Sequence, residues 1–362
     1  MDNETKEKAA ILAGVAKEKA TGAPKGGGSF SLLDVSAQHA HHPNNKRNYM
    51  KLCVFSILLS FSLCVSLIAA PISSTPPVSP VSGEAIAPIP FRGYSEAFIL
   101  HNNHIHAVVV PSISRLVFLS NAPDAPNILR FDPTLADAGA TPPTPSSAPD
   151  FFNIGGDWVW PVLQTRWPSF CPNGSDWPPP PALVDAPSTA SSWTDSRGAQ
   201  HVLLTRHYSA PVYATLTREF ILSPNSYMLY CKQILSRDPD SPSDVPPLSL
   251  WHISQVANPV SITFPVPSAD FTPTILSGAL PSDSFAIKSL YATYTPPPSS
   301  EVKLSLPDSA LTAEVPSGAL LIDASKPFHA ELYSNTGLGY AELETITPEA
   351  NTISNKITYI IM

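Results

Sequence analysis

Charge is scarce in this chain. Only 14% of its 362 residues are Asp, Glu, Lys or Arg, and no Lys or Arg occurs between Lys51 and Arg92. Basic residues are fewest where a nucleic-acid partner would need them. Residues 93–362 hold twelve Lys and Arg against twenty-three Asp and Glu, a net of −11, and such an acidic balance repels phosphate backbones. Cysteine is almost absent. Of the four, Cys53 and Cys64 lie in an apolar run, which leaves Cys171 and Cys231. That excludes a multi-disulfide framework, and no CxxC or Cys/His spacing points to zinc, so neither a metal nor a cofactor is expected. One disulfide between Cys171 and Cys231 and a pair of buried thiols are both open. Long segments of helical period are missing after residue 71, which excludes a helical bundle.

What is present begins with the run Leu52–Ala70, nineteen residues without a charge, preceded by Lys46, Arg47 and Lys51. A run of this length spans a hydrocarbon core, and the flanking positive charge keeps the N-terminal side in the cytoplasm. It reads either as a signal peptide starting at Met50 or as an uncleaved signal anchor. Both place the rest of the chain in a secretory lumen or outside the cell, membrane-anchored if the run is retained. Residues 1–49 read as a disordered polar tail or an upstream extension, 50–70 as the targeting segment, and 71–92 as a Pro/Ser linker. Asn173-Gly174-Ser175 is a glycosylation sequon in a Pro-rich stretch, consistent with that route.

From residue 93 onward the pattern is short strands and turns. Proline numbers 42, more than twice its usual share of about 5%. It clusters at 141–149, 178–181, 239–247 and 296–298, where a residue that cannot donate to a sheet ladder marks loops. Between these clusters lie runs rich in Val, Ile, Thr, Tyr and Phe, among them Arg115–Ser120, His201–Tyr208, Tyr213–Leu222, Ser284–Tyr291 and Tyr340–Thr347. They predict an all-β fold, an antiparallel sandwich occupying 93–362 as one domain.

Three segments carry candidate chemistry. Gly155–Pro161 reads GGDWVWP: Trp158 and Trp160 offer flat faces that stack on the C–H face of a sugar, and Asp157 offers a carboxylate for its hydroxyls. Filling the core beneath a loop is the plainer use of the same tryptophans. In Trp251-His252-Ile253-Ser254-Gln255 the period of two sends His252 to one face and Gln255 to the other. His252 is a candidate proton donor near neutral pH. In Tyr340–Asn351, Glu342 and Glu344 share a face, and close carboxylates raise one another's pKa.

These segments, with His106–Ser120, Trp177–Leu183 and Leu216–Leu235, resemble the galactose-mutarotase-like superfamily, in a branch marked by GGDxxWP and WPPPPAL. The resemblance runs from Tyr94 to the C-terminus and is weak over 270–325. It implies the antiparallel β-supersandwich of that superfamily and a carbohydrate ligand. In its aldose 1-epimerases a C-terminal glutamate takes the anomeric proton and a strand histidine protonates the ring oxygen. Leu343-Glu344-Thr345 followed by Pro348-Glu349-Ala350-Asn351 resembles the glutamate motif, one residue short and without its Gln. By that resemblance Glu344 is the base and His252 the acid. Arg115, Asp157, Trp158, Trp160, Gln255 and Glu342 would hold the sugar. His252 lacks the family's flanking residues, and His207 is the one, weak counterpart of its second histidine. A non-catalytic lectin-like or cell-wall module, and a structural ectodomain without ligand, stay open beside the isomerase.

Overall fold

The computed structural model describes residues 83–132, 151–169, 171, 174, 175, 177–184, 187–325, 327 and 329–362. The Leu52–Ala70 run and Asn173 lie outside these. Among the described residues no helix is long and apolar enough to cross a membrane.

Among the described residues the strands, numbered in chain order, form two ten-stranded sheets, every pairing antiparallel. The first runs, in spatial order, β1 (Ile89–Phe91), β2 (Tyr94–His101), β3 (His106–Val110), β4 (Arg115–Ser120), β5 (Asp157–Trp160), β10 (Trp251–Ala257), β19 (Tyr340–Ile346), β18 (His329–Asn335), β15 (Glu301–Leu306) and β12 (Thr274–Gly278). The second runs β13 (Phe285–Lys288), β14 (Tyr291–Tyr294), β11 (Ser261–Pro265), β16 (Leu311–Val315), β17 (Gly318–Ala324), β20 (Thr352–Ile361), β9 (Met228–Arg237), β8 (Ala214–Leu222), β7 (Gln200–Tyr208) and β6 (Thr189–Thr194). This is the all-β antiparallel sandwich that the strand pattern predicts.

Alternation builds the layers. Along β8 every second residue from Ala214 to Leu222 is buried, as a strand with one face on a core requires. The inward residues of both sheets, Leu100, Val202, Phe220, Phe264, Leu304, Leu332 and Tyr359 among them, form one continuous apolar layer. A second cluster gathers Trp158, Trp160, Trp167 and Trp251 with Leu183 and Leu250. A third covers β2–β4 from the side away from the second sheet, through Val108, Val117, Phe131 and Ile154.

Three features differ from the sequence pattern, each for a local reason. Residues 84–91, which composition assigns to the linker, belong to the sandwich. Glu84 bridges to Thr194, and β1 pairs with β2. Pro90 is accommodated there because β1 is an edge strand. The single strand expected over Ser284–Tyr291 is a hairpin, with Ser289 and Leu290 both at positive φ (52° and 63°), a two-residue turn made without the usual Gly or Asn. Asp157–Trp160, not among the runs read as strands, is a buried strand in the middle of the first sheet.

Candidate functional site

Strand β10 separates two chemistries, because successive side chains point to opposite faces. Its register pairs Ser254 with Asp157, and pairs Ile253 with both Trp158 and Glu344. Asp157, His252 and Ser254 therefore face the second sheet. Trp158, Trp160, Trp251, Ile253, Gln255, Glu342 and Glu344 face away from it.

The inward face holds a closed polar knot. Asp157 Oδ2 accepts from Ser254 Oγ at 2.5 Å and Tyr359 Oη at 3.0 Å, and lies 2.7 Å from His252 Nε2. Its Oδ1 accepts from the Arg218 guanidinium, whose other nitrogen donates to the carbonyls of Ser114 and Asp157. Arg218 and Tyr359 belong to β8 and β20, so the knot ties the sheets together. Every member is buried. Burial alone would raise the Asp157 pKa. His252, Arg218 and the Ser254 hydroxyl outweigh it and hold the carboxyl well below its ordinary value. The arrangement corrects two expectations. Asp157 does not present a carboxylate to a ligand, and His252 does not face Glu344. Hydrogen bonding to the carboxylate drew both inward, as burial of a charge demands.

The outward face carries the acids. Glu344 is fully buried, and its Oε2 accepts from Trp251 Nε1 at 2.7 Å and from Lys303 Nζ at 3.1 Å. Lys303, on β15, also pairs with Glu331 Oε2 at 2.7 Å and lies 5.0 Å above the Trp251 ring. Glu331, on β18 directly opposite Glu344, is bonded to His329 Nε2 at 3.0 Å. Glu342 Oε1 accepts from Gln255 Nε2 at 2.6 Å. Burial pushes the Glu344 pKa up to about 8. Lys303 opposes the rise, and Glu342 and Glu331 add to it. Burial likewise raises Glu342. Glu331 goes the other way: burial is outweighed by His329 and Lys303, which hold it low.

In the row across the sheet that holds Ile253, the buried polar atoms without a hydrogen-bond partner among the described residues are Glu344 Oε1 and Trp158 Nε1. They flank Ile253 in one row across the sheet. Arg115 lies 4.2 Å over the Trp158 ring and donates to the Gly155 carbonyl at 2.6 Å. It braces the tryptophan from beneath, itself buried. Trp160 is enclosed by the rings of Phe151, Trp158, Trp167 and Trp251. It fills the core beneath a loop and is not an open stacking platform.

Of the other expected residues, Cys171 and Cys231 are not joined. Cys231 sits in the layer between the sheets while Cys171 packs against the tryptophan cluster, and their elements bury them in different places. His207 lies far from this face, on β7, beside Thr215 and Asp238. Sequence reasoning missed Lys303, Glu331 and Ile253. The alternation of EVKLSL and HAELYSN puts Lys303 and Glu331 on one face of each strand, but only the strand order brings them to Glu344. A cavity of about 740 Å³ elsewhere, between Arg166, Tyr213 and Pro246, includes none of these residues.

No protein-family model matches the chain, and no curated protein does. Solved structures similar in fold include a galactose mutarotase-like protein from Lactobacillus casei, 12% identical with a TM-score of 0.46, covering 73% of this chain and 99% of that one. A galactose mutarotase related enzyme from Lactobacillus acidophilus is 7% identical, with a TM-score of 0.46 and coverages of 74% and 97%. An α-galactosidase from Geobacillus stearothermophilus is 9% identical, with a TM-score of 0.41. The match covers 74% of this chain and 40% of that enzyme. Galactose mutarotase-like and glycoside-hydrolase structures are thus among the neighbours in fold.

Proposed function

We propose that the chain binds carbohydrate on the outward face of its first sheet, over Ile253 and between Trp158 and Glu344. The observation that carries this reading is the pair of unpartnered buried atoms in that row. A buried donor left unmade costs about 1–3 kcal/mol, which a ligand group received there would relieve. Trp158 Nε1 can only donate, whereas a carboxyl held protonated by burial can donate or accept. A sugar hydroxyl accepts from the first and either accepts from or donates to the second, and Ile253 lies between them in the register. Gln255, Glu342, Lys303 and Arg115 support the row.

Aldose epimerisation by Glu344 and His252 needs both groups on one side of a sugar-binding cleft, and they stand on opposite faces of the first sheet. The lectin-like reading does not need that pair and is preferred. A glycan array tests it: the wild type is expected to retain a defined set of neutral glycans, and Trp158→Phe, which deletes the N–H and keeps the ring, to weaken them about tenfold, the equivalent of 1.4 kcal/mol. An array on which wild type and variant retain nothing above background would remove the proposal. Polarimetry on freshly dissolved aldoses is expected to show no mutarotation above the buffer rate. Delivery to a secretory lumen, supported by Leu52–Ala70 and the Asn173 sequon, belongs to the same proposal. A glycosidase-sensitive gel shift that Asn173→Gln abolishes tests it.

A further inference from the structure

We infer that His101 and His106 form a two-imidazole site for a divalent transition-metal ion, Cu²⁺ before the others. The inference is independent of the carbohydrate reading. The pair stands near the β1 edge of the first sheet, on β2 and β3, and shares no residue with the row over Ile253.

Register brings the two rings together. His101 and His106 are direct partners across the β2–β3 hairpin, so both side chains leave the sheet on one face. Asn102 N donates to the Ile105 carbonyl at 3.0 Å. Bonded and non-bonded pairs alternate along an antiparallel ladder, which makes His101 and His106 a non-hydrogen-bonded pair. The His101 N–H accordingly leaves the ladder and donates to Gln200 Oε1 at 2.7 Å. In such a pair the Cα atoms are only about 4.5 Å apart and the side chains are at their closest. Metal–imidazole bonds are about 2.0–2.1 Å, so nitrogens at adjacent corners of a coordination sphere lie roughly 3 Å apart. Two imidazoles on Cβ atoms about 5 Å apart reach that spacing without moving the backbone.

Both rings are open to a ligand. His101 is exposed and His106 half-buried, and neither ring makes a hydrogen bond or an ion pair with a described residue. Phe118 lies edge-on to the His106 ring, 5.6 Å between centroids. His106 Nδ1 is buried and unpartnered, so an ion from solvent meets Nε2. Burial and the nearby His101 both lower the His106 pKa, which favours the neutral, metal-binding form of the ring. His104, in the turn between the strands, is stacked on Tyr227 with centroids 3.7 Å apart and takes no part.

The donor set selects the metal. Among the described residues no group of three His, Cys, Asp or Glu side chains is placed to hold an ion. The chain therefore supplies two ligands here and water the rest, unlike the closed four-ligand sites of structural zinc. Two imidazole nitrogens with water oxygens suit a tetragonal ion, and affinity for such sites peaks at Cu²⁺. An ion held by two ligands exchanges readily, as pick-up and release require.

The test is a titration of the full chain with glycine-buffered Cu²⁺, followed by electron paramagnetic resonance. His39, His41 and His42 are first replaced by Ala, which removes the competing histidines near the N-terminus. The parent is expected to bind an ion coupled to two imidazole nitrogens. His101→Ala and His106→Ala are each expected to weaken it at least about tenfold, since even a residue that only supports a metal ligand is worth 10–100-fold. The double variant is expected to lose little more than either single one, as for two ligands of one ion. Zn²⁺ is expected to bind the parent more weakly than Cu²⁺. A second measurement needs no variant at either position: Cu²⁺ is expected to protect His101 and His106 together from carbethoxylation by diethyl pyrocarbonate, read by peptide mass spectrometry. Unchanged affinity in either single variant overturns the inference, as does protection of only one of the two histidines or of neither.

Discussion

A single carboxylate, Asp157, illustrates how residue chemistry decides this fold's interior. It receives Ser254, Tyr359, His252 and Arg218 with no exposed atom. Asp157→Asn leaves the Arg218 charge buried without its counter-ion. Breaking a buried pair in this way is expected to cost about 3–5 kcal/mol, read as a lower denaturant midpoint with an unchanged slope. Glu344 gives a pH signature of opposite sign. Its folded pKa, near 8, lies above its ordinary 4.5, so the native state keeps a proton that the unfolded chain releases. Stability from this group is complete below about 4.5 and declines as pH rises to about 8. Thermal midpoints measured across that window are expected to fall with pH more steeply in the wild type than in Glu344→Gln. Equal slopes would place the proton elsewhere.

Among elements, β10 and β5 did most to separate expectation from structure. That Glu342 and Glu344 share a face was legible in the alternation of Tyr340–Ile346, and so was the opposition of His252 to Gln255. What the alternation does not say is which face meets the other sheet; that depends on strand order, and β19 lies beside β10 only through pairings of residues about ninety positions apart. β5 was illegible for another reason. All four of its residues are buried, so it has no polar alternation to read. Its entry depends on Gly155, whose φ is +85° and whose added Cβ would lie 2.2 Å from the Arg130 carbonyl oxygen. Gly155→Ala is therefore strained both in backbone and in contact. It is expected to destabilise by more than about 1 kcal/mol and to dull the near-ultraviolet dichroism of the adjoining tryptophans. An unchanged spectrum and midpoint would show that β5 enters the sheet by another route.

At the scale of the whole domain, chain order and spatial order diverge. The last strand, β20, lies in the interior of the second sheet, between β17 and β9. A chain ending at residue 351 would divide that sheet, remove the buried Ile357 and Tyr359, and take one member from the polar knot. It is expected to be recovered only as aggregate, which sedimentation of the expressed fragment decides. The same long-range wiring explains what sequence reading reached and what it did not. Strand content follows from local composition. The meeting of Lys303, Glu331 and Glu344 follows from the closure of β15, β18 and β19 into one ladder.

The knot around Asp157 has a consequence for inheritance. Ser254, Arg218, His252 and Tyr359 come from three strands remote in the gene, yet each contacts one of the same two oxygens. Their substitution effects should be strongly non-additive, with Asp157→Asn masking much of the harm of a change at Arg218. Among diverging descendants of this chain, the five positions should then be kept together or lost together, as one character written in scattered places.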